Sequence, residues 1–383
     1  MSAAEKQKRE LAKDLKEGIS RVSRRQFTMG TIALFAGISE ALAQGQSGQP
    51  AEPLRPQNME RALEGKFPPI TVTEQQANQM FPVHNEPRIM TMSHPLIVQC
   101  SSPGWQIGGK RYPAIPFSIE GQAQDLADSI KAGAVAIHVH PRNPENGLAM
   151  INAALLKEVL DATFDKIGDC VTISHTWYPH DGITDYIVDT KDLLEWGDGN
   201  KYCQGSVVLP FSNAQRKAMD QGVRYLDTNH VKPCFEFYDT SAQRHFKELI
   251  DEIGNLSKPL SLDVNLGKHD STAIHQDPGS YLNAIANLDI VQKTFPGEFY
   301  GWRTGGRNWL PIMTMGIMMG VDLVQVGLED AYWRWPHRDE LIESSAESVK
   351  WAVDIANVMG RRVVTDPNEA RKIMGIKLTS KLG

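Results

Sequence analysis

Short apolar segments alternate with longer helical patterns from residue 93 almost to the end of the chain. Eight segments have the length and composition of buried strands, and they span residues 95–101, 134–140, 170–176, 205–210, 234–239, 260–266, 298–303 and 321–328. A predicted helix follows each of them, at residues 119–132, 150–166, 187–196, 213–221, 240–253, 279–294, 308–319 and 340–360. Strict alternation predicts a parallel sheet, and eight such units favour a closed (β/α)8 TIM barrel over an open doubly wound sheet. No G-x-G-x-x-G motif follows the first strand, which weakens a dinucleotide-binding alternative.

The beginning of the chain has the pattern of an export signal. Arg24 and Arg25 are adjacent in "SRRQF", the apolar run "FTMGTIALFAGIS" follows, and an A-x-A-like sequence ends at Ala43. These features are typical of a secretory signal, and paired arginines mark the twin-arginine route. Residues 1–43 are therefore predicted to be a twin-arginine signal peptide, and the mature protein is expected in the periplasm. The apolar run is too short to span a bilayer comfortably, which disfavours a membrane anchor and predicts no membrane span in the mature form.

The next segment, residues 44–92, is rich in Gln, Pro, Asn and Glu and has little periodicity. It is predicted to form an extended N-terminal arm on the barrel surface or on a neighbouring subunit, followed by the barrel domain at residues 93–383. The whole chain is 41% hydrophobic and 22% charged, which is typical of a globular protein with ample core. Its formal net charge of −6 argues against a nucleic-acid partner.

The four cysteines, Cys100, Cys170, Cys203 and Cys234, lie in or beside strand-like apolar runs, and none forms a C-x-x-C pair. An even number of cysteines in an exported protein allows disulfides. Their wide spacing within predicted strands favours buried free thiols instead, because cysteine is among the most buried residue types. We therefore predict no structural disulfide.

Two histidines end the second predicted strand in "AIHVHPR": His138 and His140. Side chains at positions i and i+2 of a strand point to the same face, so the two imidazoles leave the backbone side by side. Ordinary strand histidines, hydrogen-bonded or half exposed, are one interpretation. A shared metal ion is the other.

Two acidic residues, Glu329 and Asp330, follow the eighth predicted strand in "VGLEDAYW". A solvated acidic turn or carboxylates at a helix N-terminus are the simple alternatives. In a closed barrel, however, strands 8, 1 and 2 are neighbours at about 4.8 Å per strand, and their C-terminal ends form the catalytic rim. His138, His140 and Glu329 together would make a catalytic zinc site of the His₂Glu type, or a site for another divalent metal.

Four longer stretches carry these motifs and their surroundings: residues 132–147, 231–239, 305–333 and 368–376. In this order and spacing, H-x-H-x-R and V-G-L-E-D are specific in combination, and the chain resembles the β-keto acid cleavage enzymes over about residues 93–376. That family includes 3-keto-5-aminohexanoate cleavage enzyme. The resemblance implies a zinc-bearing (β/α)8 barrel that assembles as a homotetramer. It also implies a reaction in which a β-keto acid joins acetyl-CoA, and a carbon–carbon bond then breaks to release acetoacetate and a new acyl-CoA.

The resemblance also implies roles for single residues. The metal ligands would be His138, His140 and Glu329, and Asp330 would be the base or proton carrier. The predicted substrate is thus a small oxo acid held beside the metal.

Further candidates lie at the end of the third predicted strand, within the fifth and after the seventh. Ser174 or Thr176 is similar to the family's substrate-binding hydroxyls, although the loop "SHTWYPH" lacks the usual glycines. His175 could contact substrate or lie on the surface. Glu236 could face the barrel interior as a substrate-binding or paired structural carboxylate, and Arg307 could bind the substrate or form a surface ion pair.

The chain departs from the family pattern at two places. Gln325 stands where the family usually has an arginine, and the segment "SSPGWQIGG" after the first strand has no acidic residue. A neutral amide does not replace the charge and bidentate fork of a guanidinium, although Arg303 or Arg307 could supply the positive charge. Because export would also remove the protein from cytoplasmic CoA, use of acetyl-CoA is doubtful on the sequence alone. An exported hydrolase or C–C lyase that uses water, or a non-catalytic solute-binding barrel, are the alternatives.

Overall fold

The computed structural model describes residues 73–76, 88–104, 112–175, 188–197, 199–209, 216–238, 240–267, 278–329 and 331–379. The chain divides into two compact units, Met1–Glu86 and Pro87–Gly383, and the second of them contains the barrel. The predicted signal peptide and nearly all of the predicted arm lie outside the described residues, so both stay predictions.

Eight parallel strands close into a barrel in sequence order, which confirms the predicted TIM barrel. Closure joins β8 to β1, with Gln99 opposite Gln325 in the register. The strands are β1 Ile97–Ser101, β2 Ala136–His138, β3 Val171–His175, β4 Gly205–Val208, β5 Lys232–Phe237, β6 Ser261–Leu266, β7 Phe299–Thr304 and β8 Leu323–Val326.

Helices follow the strands around the outside of this sheet, as expected from the 3.6-residue periodicity of the sequence. A 3₁₀ turn at Met90–Ser93 precedes β1. The α-helices are α1 Ile119–Lys131, α2 Ala153–Ile167, α3 Val188–Trp196, α4 Arg216–Thr228, α5 Thr240–Ile253, α6 Pro278–Thr294, α7 Trp309–Met319, α8 Ser345–Val358 and α9 Pro367–Met374. Among the differences from prediction, α4 extends seven residues further and α9 was not expected.

A two-stranded hairpin between β8 and α8 was also not predicted. Its strands are β9 Trp333–Trp335 and β10 Arg338–Leu341, and they pair antiparallel. The prediction of a helix at 340–360 is therefore wrong at its start, because residues 340 and 341 belong to β10 and the helix begins at Ser345. The true start of α8 is set by Ser344, whose side chain accepts a hydrogen bond from the amide of Glu347 as an N-cap.

The interior of the barrel has an apolar end and a polar end. At the end where the strands begin, Ile97, Phe299 and Leu323 form one buried cluster with Ala370 and Met374 of α9. Toward the end where the strands finish, the buried side chains become polar or charged: Gln99, Ser101, His138, Glu236, Asp263, Asn265, Arg303 and Gln325. Since burying such groups is costly without partners, this polar layer is where chemistry is expected.

The four cysteines are buried free thiols, in agreement with their pattern in the sequence. Among the residues that the structure describes, no helix has both the length and the apolar character needed to cross a bilayer.

Candidate metal centre

Three residues converge at the C-terminal ends of β2 and β8: His138, His140 and Glu329. The two Nε2 atoms are 3.0 Å apart, and the Glu329 Oε1 atom is 3.6 Å from the first and 3.5 Å from the second. All three residues are buried, and at most 9% of the surface of any of their side chains is exposed. The structure thus brings together the three residues predicted as metal ligands, with one donor atom from each within 4.8 Å of the others.

The chain that follows β1 holds these residues in place. The Pro103 carbonyl accepts a hydrogen bond from the His140 amide (3.0 Å), and the Ser101 carbonyl accepts one from the Glu329 amide (3.1 Å). Gly104 lies against Glu329 so closely that a methyl group on its α-carbon would overlap the Glu329 side chain. Only glycine at position 104 leaves room for the carboxylate where it is.

Each of the two imidazoles has a nitrogen lone pair available for a metal ion. The Nδ1 of His138 lies 2.9 Å from the carbonyl oxygen of Ile173. Because a carbonyl only accepts, this contact places the proton on Nδ1 and leaves Nε2 as the lone-pair atom, an arrangement common among metal-binding histidines. Burial lowers the pKa of His140 to about 4, with further lowering by His138 and Arg142 and an opposing effect of Glu329. His140 is therefore neutral at pH 7, the form that binds metal.

The second oxygen of Glu329 is held by a network of polar side chains. Its Oε2 accepts a hydrogen bond from the Ser101 hydroxyl and another, of 2.8 Å, from Gln325 Nε2. The amide oxygen of Gln325 in turn accepts from Gln99 Nε2 (2.9 Å) and from the Arg303 guanidinium. These bonds fix the orientation of the carboxylate and leave Oε1 as the oxygen nearest the histidines.

Arg303 is the buried cation of the polar layer. Its guanidinium contacts Asp263 Oδ2 at 2.6 Å and Glu236 Oε1 at 3.0 Å. Burial opposes the charged form, but Asp263 and Glu236 together raise the pKa of Arg303 above its ordinary value. Glu236 also accepts from Tyr238 and Asn265. The positive charge that the sequence lacks at position 325 is therefore supplied beside that position by Arg303, and Glu236 faces the interior as a paired carboxylate.

Not all predicted residues reach the cluster. The Ser174 hydroxyl lies 2.8 Å from the Cys203 sulfur, which belongs to the apolar core between the strands and the helices. Its position follows from alternation along β3, because the neighbouring Ile173 side chain points into the barrel. Thr176 and Asp330 lie outside the described residues, as does the side chain of His175. Their predicted roles therefore stay predictions.

Arg307 is engaged with the hairpin instead of the cluster. Its guanidinium donates to the Arg338 carbonyl (2.9 Å) and to Asp339 (2.7 Å), and it stacks 3.9 Å from the centre of the Trp333 ring. It is a surface ion pair, the simpler of the two interpretations of this residue, and the structure does not bring it to the metal ligands.

Several residues of the site had not been singled out from the sequence: Ser101, Gln99, Asp263 and Gly104. Gln99 and Ser101 alternate in "IVQCS", and Asp263 has the same relation to Asn265 in "LDVNL". Since the strands of a parallel barrel are normally apolar on both faces, polar residues two apart in an apolar run were a usable signal for the interior. Gly104 gave no such signal.

We expect the metal-free protein to lose stability as the pH falls from about 6.5 toward 4. In that interval the unfolded chain protonates position 140, whereas the folded chain, with its pKa of about 4, does not. The stability contributed by the neutral imidazole is fully present above about pH 6.5, the unfolded pKa, and is lost as the pH falls toward about 4, the folded pKa. Its full size is roughly 3 kcal/mol. Urea unfolding with a chelator at pH 7 and pH 5 measures it. A His140→Gln variant should lose less between the two pH values, and an equal loss would contradict the assignment.

Comparison with known proteins shows which family the chain resembles. A sequence model of the beta-keto acid cleavage enzyme family matches residues 95–376. The 3-keto-5-aminohexanoate cleavage enzyme of Fusobacterium nucleatum is 26% identical over 297 residues, covering 75% of this chain and 100% of that enzyme. The 3,5-dioxohexanoate:acetyl-CoA acetone transferase of Paraburkholderia graminis is 22% identical over 319 residues, covering 75% and 98%.

Among solved structures, the binary complex of ObcA with oxaloacetate has a TM-score of 0.54 and 15% identity, and it covers 70% of this chain and 68% of that one. This likeness shows the barrel fold. The family match, by contrast, includes the H-x-H-x-R and G-L-E-D motifs and about three quarters of the chain. The chain therefore belongs to the beta-keto acid cleavage enzyme family.

Proposed function

We propose that this protein binds a divalent metal ion, with zinc as the first candidate, and cleaves a carbon–carbon bond of a 3-oxo acid with acetyl-CoA as co-substrate. The observation that carries the proposal is the buried cluster of His138, His140 and Glu329 at the catalytic end of the barrel. Two imidazoles and a carboxylate are a donor set that suits zinc. The names of the relatives, which specify keto acids and, in one case, acetyl-CoA, support the substrate class.

A bound metal would polarise a carbonyl oxygen of the substrate as a Lewis acid. The chain itself supplies the other requirements. Ser101 and Gln325 hold Glu329 in a fixed orientation, so that the site needs little reorganisation during the reaction. Asp330, the next residue in the chain, is proposed to take a proton from the carbon between the two carbonyl groups of the acid. Arg303 contributes a fixed positive charge behind Gln325.

The proposal is tested with a panel of 3-oxo acids, each incubated with and without acetyl-CoA. We expect cleavage only when acetyl-CoA is present, and we expect Asp330→Asn to lower the rate about 10²–10⁴-fold, as for removal of a general base. Cleavage without acetyl-CoA would instead support the alternative in which water is the co-substrate. Absence of cleavage under both conditions would support a binding protein.

We further propose that residues 1–43 are a twin-arginine signal and that the mature protein is periplasmic. The paired Arg24 and Arg25 before the short apolar run support this proposal. Changing both arginines to lysine should leave the precursor in the cytoplasm, and N-terminal sequencing of the native periplasmic protein should begin near residue 44. Unprocessed protein in the cytoplasm of cells that express the native gene would contradict it. The two proposals meet at the co-substrate: a CoA thioester is not expected outside the cytoplasm, so demonstrated export would favour the alternative in which water is the co-substrate.

A further inference from the structure

Gln325 lies beside the metal ligands, and both polar atoms of its amide are engaged. Its Nε2 donates to Glu329 Oε2 over 2.8 Å. Its Oε1 accepts from Gln99 Nε2 over 2.9 Å and from a guanidinium nitrogen of Arg303. Since Gln325 is 1% exposed, these bonds form away from solvent, where each bond is stronger than in water.

The orientation of this amide is determined by its neighbours. A guanidinium only donates hydrogen bonds, so the atom of Gln325 that faces Arg303 must be the oxygen. The nitrogen then faces Glu329, whose carboxylate Oε2 accepts its hydrogen bond. Arg303 is in turn fixed between Asp263 and Glu236. The amide therefore has one satisfied orientation, and that orientation directs an N–H to the carboxylate.

We propose that Gln325 is a positioning residue for the metal ligand Glu329. Gln99 and Arg303 fix the orientation of its amide, and its N–H holds Glu329 Oε2 so that Oε1 faces the two histidines. The inference rests on the proposed metal-dependent function and assigns to Gln325 a role different from direct contact with substrate. Because the chain of bonds begins at a guanidinium and ends at a carboxylate, it is charge-assisted at both ends and stronger than a neutral network.

The test is the zinc affinity of purified variants, measured by competition with a chromophoric chelator. Gln325→Met keeps the volume of the side chain but removes the N–H, and we expect zinc affinity to fall about 10–100-fold, as for loss of other outer-sphere partners of metal ligands. Gln204→Met is the matched control, because Gln204 is also buried and also accepts from an arginine, with 2.8 Å from Arg371 Nε to its Oε1. It should lose stability but bind zinc as the native protein does. Thermal unfolding of both variants shows how much fold is retained.

A second pair of variants separates a positioning role from a merely structural one. Gln99→Met should lower zinc affinity less than Gln325→Met, because Arg303 still holds the amide. If Gln99 acts through Gln325, the double variant should bind zinc no more weakly than Gln325→Met alone, whereas independent effects would add.

The possible outcomes are distinguishable. Native affinity in Gln325→Met, or additive losses in the double variant, overturns this inference and leaves the proposed function standing. A native protein that takes up no zinc overturns both.

Discussion

His138→Ala should abolish stoichiometric metal binding and lower turnover by about 10³-fold or more. The variant removes one of three donor atoms that lie within 4.8 Å of one another, and the remaining pair cannot make the three-ligand site of a catalytic zinc. A metal ion acting as a Lewis acid contributes several kcal/mol to a reaction of this type, and each 1.36 kcal/mol corresponds to about tenfold in rate. Elemental analysis of the dialysed protein measures the occupancy, and assays with 3-oxo acids measure the rate.

His94→Ala provides the matched control for this experiment. His94 precedes β1 at the opposite end of the barrel, where its largely exposed side chain lies 3.4 Å from Asp322. Its removal should leave metal content and turnover unchanged. Circular dichroism should show an intact barrel in both variants. Full metal occupancy in His138→Ala would show that the ligand assignment is wrong.

The barrel could be predicted from the sequence because its strands are buried on both faces. Such strands appear as continuous apolar runs, as in "AVAI" at residues 134–137 leading into β2, and the helices between them have a different period. The hairpin of β9 and β10 could not be found in this way. Its strands have three and four residues, are partly exposed and contain arginines and aspartate, so they lack the apolar run on which the prediction depends.

The metal ligands could also be predicted, whereas the contacts that hold them could not. His138 and His140 share a strand, so their proximity follows from alternation alone. Glu329 follows from closure of the barrel. The contact of Arg303 with Gln325 depends on side-chain length and on the register of β7 with β8, in which these two residues are opposite each other. That register is not encoded in either strand by itself.

Gly104 also holds Glu329 in place, and nothing in the sequence singled it out. Gly104→Ala should lower zinc affinity by at least about 100-fold, comparable to the strongest loss caused by changing a residue outside the ligand set. The added methyl group would overlap the side-chain and backbone carbons of Glu329, and packed interiors do not absorb such overlaps without displacement. Glu329 would therefore move away from the two histidines. Chelator competition measures the affinity, and turnover should fall with it.

Gly254→Ala is the informative comparison, because it separates a steric effect on the site from the general cost of replacing glycine. Gly254 ends α5 with a φ of +62°, and a methyl group there would meet no atom within 4 Å. Alanine at this position should lower the free energy of unfolding by about 1 kcal/mol through backbone strain, with zinc affinity unchanged. Gly104 has no such positive φ, so its replacement acts through contact with Glu329. If Gly104→Ala binds zinc as tightly as Gly254→Ala does, then the close contact with Gly104 does not determine where Glu329 lies.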